Sequence, residues 1–227
     1  MTGFEAWAVV PVKPLALCKL RLASVLRADD RRSLSLAMLQ DVVTTLQQVQ
    51  ALGAVAVVSR DDDVLGFVRG LGIRTLRETG SGENAAVAAV ARTFGAQGCG
   101  TLLVVPADVP LATPAEFSTV VQARRAEHTV TLVPDRARMG TNAMALSPPT
   151  VIPPLFGRDS LARHRHAALQ AGAACRVIDL DGLGLDIDLP ADLAELLRRR
   201  EHTHTHTCLR RLMDSGRVAA PPARSPG

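Results

Sequence analysis

Lysine is almost missing from this 227-residue chain: two occur against 24 arginines, and both, Lys13 and Lys19, fall in one short stretch. No apolar run approaches the ~18 to 20 residues of a membrane-spanning helix. Met1 to Trp7 lacks the basic start and apolar stretch of a signal peptide, so the expectation is a cytoplasmic protein with no membrane partner. The four cysteines, Cys18, Cys99, Cys175 and Cys208, show no C-x-x-C spacing, which argues against a zinc or redox motif and leaves reduced thiols. There is no G-x-x-x-x-G-K-[ST], which argues against a P-loop NTPase. No internal repeat and no credible Ser-His-Asp or Cys-His arrangement occurs either.

What is present suits a globular chain with a real core: 47% apolar and 21% charged residues. A net charge of +4 hints at nucleic acid until it is divided along the chain. Residues 1–197 carry 19 basic and 20 acidic side chains, whereas residues 198–227 carry 7 and 2. The basicity is all terminal, and no nucleic-acid partner is expected. One domain over residues 1–200 is the expectation, followed by a basic tail, 201–227, with too few large apolar residues to fold. His202, His204 and His206 alternate with threonines there and would suit a metal only if extended; a solvated tail is the plainer reading.

Strand-like runs at Trp7–Val12, Ala54–Ser59, Thr101–Val105 and Val130–Val133, with weaker ones at Ile73–Leu76, Ala143–Leu146 and Cys175–Ile178, alternate with helical segments. Helices are expected at Asp30–Val49, Asp62–Leu71, Asn84–Phe94, Pro114–Glu127, Ser160–Ala171 and Pro190–Arg200, with Asp, Asn, Ser or Pro beside their first turns. That alternation predicts an α/β fold, three layers around a mainly parallel sheet. In such sheets ligands bind beyond the carboxyl ends of the strands, so the loops there hold the candidate site.

Gly80, Gly82 and Ala85 spell G-x-G-x-x-A, yet the strand end about 20 residues on, C-G-T-L-L-V-V, has no acid to complete a dinucleotide fingerprint. A flexible loop entering a helix explains the stretch better. The first strand end, P-V-K-P-L-A-L-C-K-L-R-L, gathers Lys13, Lys19 and Arg21 within nine residues. A chain that otherwise uses arginine keeps the compact ammonium here, which suits point contacts to phosphate oxygens.

Asp108 stands between two prolines in V-V-P-A-D-V-P-L, a rigid setting for a forward-pointing carboxylate. Late in the chain, L-G-L-D-I-D-L-P puts Asp186 and Asp188 two apart on an extended segment, facing one side. Three oxygen donors at two strand ends suit Mg2+. Asp188, just before Leu189-Pro190, also suits a helix cap, and Asp186 a surface position. A third cluster, M-G-T-N-A followed by F-G-R-D-S-L-A-R-H, joins Thr141 and Asn142 to Gly157, Arg158, Ser160 and Arg163. Free N–H groups at a helix start favour an anion, while Ser160 or Asp159 as a simple cap and Thr141 and Asn142 as turn residues are the plainer alternatives.

Together V-P-V-K-x5-K-x-R-L, E-N-A-A at 83–86, V-P-A-D-V-P-L, G-T-N-A, F-G-R-D-S-x-A-R-H and L-D-I-D-L-P resemble the guanylyltransferases that activate a phosphorylated three-carbon acid for coenzyme F-420 biosynthesis. The resemblance spans residues 7 to about 197, with departures at Leu20, Glu83 and Leu189. It implies a GT-A-like nucleotidyltransferase fold, GTP as donor, Mg2+ as cofactor, and 2-phospholactate, phosphoenolpyruvate or 3-phosphoglycerate as acceptor. Beside it, the first strand-end loops are expected to supply nucleotide contacts at Pro11, Val12, Lys13, Lys19 and Asn84, and catalytic cations at Lys13, Lys19 and Arg21. The resemblance implies acid contacts at Thr141, Gly157 and Ser160, to which their neighbours Asn142 and Arg163 are added, and metal carboxylates at Asp108, Asp186 and Asp188. Hand-over of product to the next enzyme and a homodimer are further expectations. Transfer to a sugar or alditol phosphate, and a nucleotide-binding regulator without turnover, are the alternatives.

The implied chemistry is coherent without a catalytic base. The second pKa of a phosphate monoester is ~6, so the acceptor is already mostly dianionic at neutral pH. The obstacle is anion repulsion at the α-phosphorus, which cations must offset.

Overall fold

The computed structural model describes residues 5–80, 82–124, 126–199 and 202–218. Seven strands, β1 (Ala6–Pro11), β2 (Leu52–Ser59), β3 (Arg74–Arg77), β4 (Thr101–Val104), β5 (Thr129–Pro134), β6 (Thr141–Ser147) and β7 (Ala174–Val177), form one sheet. Their order is β3-β2-β1-β4-β6-β5-β7. Pairing is parallel except around β6, which runs against both β4 and β5. The reversal follows from a short hairpin: the residues between β5 and β6 are too few for a parallel crossover. Asp135 closes that turn, its N–H donating to the Gly140 carbonyl at 3.3 Å and its carboxylate accepting from the Met139 N–H at 2.8 Å.

Alternation along the strands divides the core. Ala8, Val10 and Leu103 face one way, against α1 (Ala28–Gln47), α2 (Asp62–Gly70) and α4 (Pro114–Gln122). Val9, Leu102 and Val104 face the other, against α3 (Glu83–Ala96) and α5 (Ser160–Gln170). The result is the expected three-layer α/β/α arrangement. Local chemistry sets the boundaries. Asp61 caps α2 by accepting from the Asp63 N–H at 3.0 Å. Thr113 and Glu116 form a reciprocal capping box around Pro114 at the start of α4. That helix stops at Gln122, short of the Glu127 expected from its pattern.

The tail expectation needs correction. Residues 201–227 were expected to lack structure, but α7 (His204–Asp214) packs against α1 and α6 (Pro190–Arg198) in a third apolar cluster that includes Leu193, Leu196, Leu209 and Leu212. The H-T-H-T-H run is a helix start rather than an extended strip. Thr203 caps it through the His206 N–H at 3.2 Å, and the His206 ring is buried, with Nε2 2.8 Å from the Leu196 carbonyl oxygen. Leu209 and Leu212, spaced three apart on one helix face, supply the apolar stripe that low overall hydropathy concealed. The parts of the tail expectation covering residue 201 and residues 219–227 lie outside the described residues.

Candidate active site

Parallel strands β1 and β4 end side by side, which brings the loops after Pro11 and Val104 together. The chain leaving β1 stays ordered through backbone bonds, Val12 N–H to the Val58 carbonyl at 2.9 Å and Leu15 N–H to the Asp61 carboxylate at 2.8 Å. Two 3-10 turns, Leu15–Leu17 and Leu20–Leu22, then follow. Lys19 joins them in the left-handed region, φ 52° and ψ 37°, an uncommon conformation for a residue with a Cβ. That backbone turn drives its side chain inward, where only 7% of it is exposed.

The Lys19 Nζ donates to Asp108 Oδ2 and to Asp188 Oδ1, each at 2.6 Å. Residues 89 and 169 positions away thus meet on one ammonium. Burial alone disfavours its charge, but the two carboxylates more than reverse this and hold its pKa above the ordinary lysine value. A backbone bond from Ile187 N–H to the Asp108 carbonyl at 2.9 Å locks the two carboxylate loops together. Asp188 does not cap α6. Asp192 takes that role, accepting from the N–H groups of Asp188 at 3.0 Å and Leu189 at 2.6 Å, so the Asp188 carboxylate faces the site.

Asp186 turns differently, accepting from Asn142 Nδ2 at 3.1 Å. Burial, reinforced by the negative charge of Asp108, pushes its carboxyl up to about 6. Among the described residues no group of three His, Cys, Asp or Glu side chains is spaced to hold a metal ion. The expected three-carboxylate cage is therefore not assembled: one carboxylate is drawn to an amide, the other two to an ammonium. Asp108 and Asp188 nonetheless fit Mg2+ by donor chemistry, since they already converge on a single cation and this ion commonly takes one or two protein carboxylates.

A cleft of ≈ 310 Å³ opens over this cluster, lined by Pro11, Val12, Lys13, Arg21 and Glu83 as well as by Lys19, Asp108 and Asp188. Pro11, Val12, Lys13 and Glu83 also line an adjoining cavity of ≈ 220 Å³ that reaches Arg60, Glu78 and Gly82. Lys13 is exposed and pairs with Glu83 at 3.3 Å; Arg21 is exposed and 3.9 Å from Asp188. Burial raises the Glu83 pKa, an effect that Lys13 partly offsets.

The residues expected to meet the acid gather where β6 begins and α5 begins. A bond from Leu161 N–H to the Met139 carbonyl at 3.1 Å stitches the two segments. Gly157 has φ +113°, a conformation side chains rarely adopt, and the Ser160 N–H returns to its carbonyl at 3.2 Å. Thr141, Asn142 and Ser160 are buried, whereas Arg163 is exposed and does not share their enclosure. Asn84 needs reassignment: its side-chain amide donates to the Phe156 carbonyl at 3.2 Å and accepts from the Phe156 N–H at 2.8 Å. It clamps the loop before Gly157, so both polar atoms of its side chain are engaged by the protein's own backbone. The sequence reading also missed Asp61, hidden in a run of three aspartates, and the role of His164, although its i+4 spacing from Ser160 marked the same helix face.

A three-layer α/β domain carrying basic and acidic strand-end loops around a cleft of ≈ 310 Å³ is the layout of a nucleotidyltransferase. The fold agrees with this: a nucleotidyl transferase from Methanothermobacter thermautotrophicus superposes with a TM-score of 0.64 at 17% identity, over 92% of this chain and 100% of that one. Residues 6–224 match the family model described as "Guanylyl transferase CofC like". The chain belongs to that family and is a nucleotidyltransferase of the GT-A-like type. Among its relatives, a phosphoenolpyruvate guanylyltransferase from Sphaerobacter thermophilus is 42% identical over 83% of this chain and 91% of that protein. A 2-phospho-L-lactate guanylyltransferase from Methanothermobacter thermautotrophicus is 32% identical over 90% of each.

Proposed function

We propose that the protein transfers GMP from GTP to the phosphate of a three-carbon phospho-acid, phosphoenolpyruvate ahead of 2-phospholactate and 3-phosphoglycerate, releasing pyrophosphate in coenzyme F-420 biosynthesis. The names of its relatives support the donor base and the acid class. The observation that carries the reading is the convergence of Lys19, Asp108 and Asp188 at the floor of the cleft, with Lys13 and Arg21 at its rim.

A phosphate oxygen of the acid attacks the α-phosphorus of GTP. The new P–O–P bond forms as the α–β bridging bond breaks, and pyrophosphate leaves with the bonding pair. No proton moves, so the step needs no general base. The β1 loop cations stabilise the leaving pyrophosphate, while Thr141, Ser160 and the Gly157 turn hold the acceptor in line. Magnesium, held by Asp108 and Asp188, would supply neutralisation of the phosphate oxygens. Lys19 now occupies both carboxylates, so engagement of a triphosphate requires its ammonium to move toward the phosphates. Lys13 must likewise exchange Glu83 for substrate. A cytoplasmic setting and hand-over of the product to the next enzyme belong to the same proposal.

Purified protein is incubated with GTP, MgCl2 and each acid in turn, with pyrophosphate release as the readout and the next pathway enzyme present as a trap. Fastest release with phosphoenolpyruvate is expected. Silence with all three acids would refute the assignment.

A further inference from the structure

His164 is fully buried, and both of its ring nitrogens have partners. The Leu155 N–H lies 2.8 Å from Nε2, and Thr141 Oγ1 lies 3.0 Å from Nδ1. These two contacts are not equivalent. A backbone N–H can only donate, so Nε2 must keep its lone pair, and the proton of the neutral ring then sits on Nδ1. Thr141 Oγ1 accepts that Nδ1–H, which leaves the hydroxyl proton pointing away from the ring. No other hydrogen bond of this hydroxyl occurs among the described residues.

Resting on the guanylyl-transfer reading, we infer that His164 is a positioning residue that holds Thr141 as a hydrogen-bond donor toward the anionic acceptor. The ring itself cannot turn over easily. Phe156 packs edge-on against it with centroids 5.1 Å apart, and Asn84 holds Phe156 by both of its backbone groups. Burial, with a smaller push from Arg163, lowers the His164 pKa to about 4, so the neutral ring persists at working pH. A protonated ring would also set Nε2–H against the Leu155 N–H. The site thus selects for ligand oxygens that accept, those of a phosphate or carboxylate, over a hydroxyl that must donate.

Two substitutions separate this role from simple packing. In His164→Asn the side-chain amide N–H can stand near the Nδ1 position and still donate to Thr141. In His164→Gln the amide oxygen can stand near Nε2 and serve Leu155 instead. We expect His164→Gln to raise the KM for the acid by roughly tenfold or more, with the KM for GTP unchanged, and His164→Asn to retain most of the acid affinity. Equal losses in both, or a parallel rise in the KM for GTP, would overturn the inference. The tautomer is read separately by 15N NMR of histidine-labelled wild-type protein without substrate. A protonated Nδ1 and a lone-pair Nε2 are expected, and the reverse pattern overturns the inference whether or not turnover with any acid is detected.

Discussion

Asp41 on α1 accepts the hydroxyl proton of Thr205 on α7 at 2.5 Å, and the same carboxylate caps α7 by taking the N–H groups of His204 and Thr205, each at 2.8 Å. The pair joins residues 164 positions apart and is buried. Because Leu22, Leu185 and Ile187 share the apolar cluster of α7, this latch also braces the loops that carry Lys19 and Asp188.

Asp41→Ala should therefore destabilise the fold by about 2–4 kcal/mol, since three donors lose a charged acceptor. Urea unfolding measures it: a midpoint unchanged from wild type would show that α7 docks through its apolar face alone. Loss of turnover at temperatures where the variant remains folded is the accompanying expectation.

Lys19→Met should lower kcat by ~10² to 10³, because it removes a cation aimed at developing phosphate charge. It also frees Asp108 and Asp188 of the ammonium they share, leaving only exposed Arg21 near Asp188, so magnesium should bind the nucleotide-free variant more tightly than wild type. Isothermal titration with MgCl2 tests the second point; equal affinities would mean that the ammonium does not compete for those oxygens.

Asp108→Asn should cost ~10² or more in turnover and weaken the dependence on magnesium. Turnover rates over a range of MgCl2 concentrations provide the check. A regulator without turnover would instead bind GTP equally well in both forms.

Gly157→Ala meets open space around the new Cβ but must hold φ near +113°. The cost is thus conformational, about 1–3 kcal/mol, and should appear in the KM for the acid rather than for GTP. Steady-state kinetics with each substrate varied in turn distinguishes the two.

Stability should respond to acid through His164. Its folded pKa of about 4 lies below the ordinary 6.5, so the unfolded chain takes up a proton that the folded chain refuses. Stability is fully retained above pH 6.5 and falls as pH drops toward 4, by up to about 3 kcal/mol. Asp186, raised to about 6, acts in the opposite sense between that value and 3.8, since its folded form holds the proton more tightly. Comparing urea midpoints of wild type and His164→Asn at pH 7.5 and 4.5 isolates the histidine, and a wild-type curve parallel to that of the variant would contradict the assignment.

Much of the architecture was legible from local pattern. The strand and helix alternation, the clustering of Lys13 and Lys19, and Asp108 between prolines all depend on neighbours in sequence, and each led to a strand-end cleft. The antiparallel β6 was within reach as well, from the short D-R-A-R-M-G link. Other features depended on distant partners. Asn84 looked like a loop residue near the nucleotide, but its amide is committed to Phe156, 72 positions away. Within the histidine run His202 and His204 are exposed, as the pattern suggested, whereas His206 is buried because its ring meets the distant Leu196 carbonyl.

Local pattern alone was thus enough to set which residue types stand at which strand ends, because backbone periodicity and turn chemistry act over a few residues. Which polar groups satisfy one another came from the packed fold: Lys19 with Asp108 and Asp188, Asn142 with Asp186, Asp41 with the start of α7. Those pairings depend on burial and distance across the fold, where a desolvated charge or amide must find whichever partner packing brings within reach.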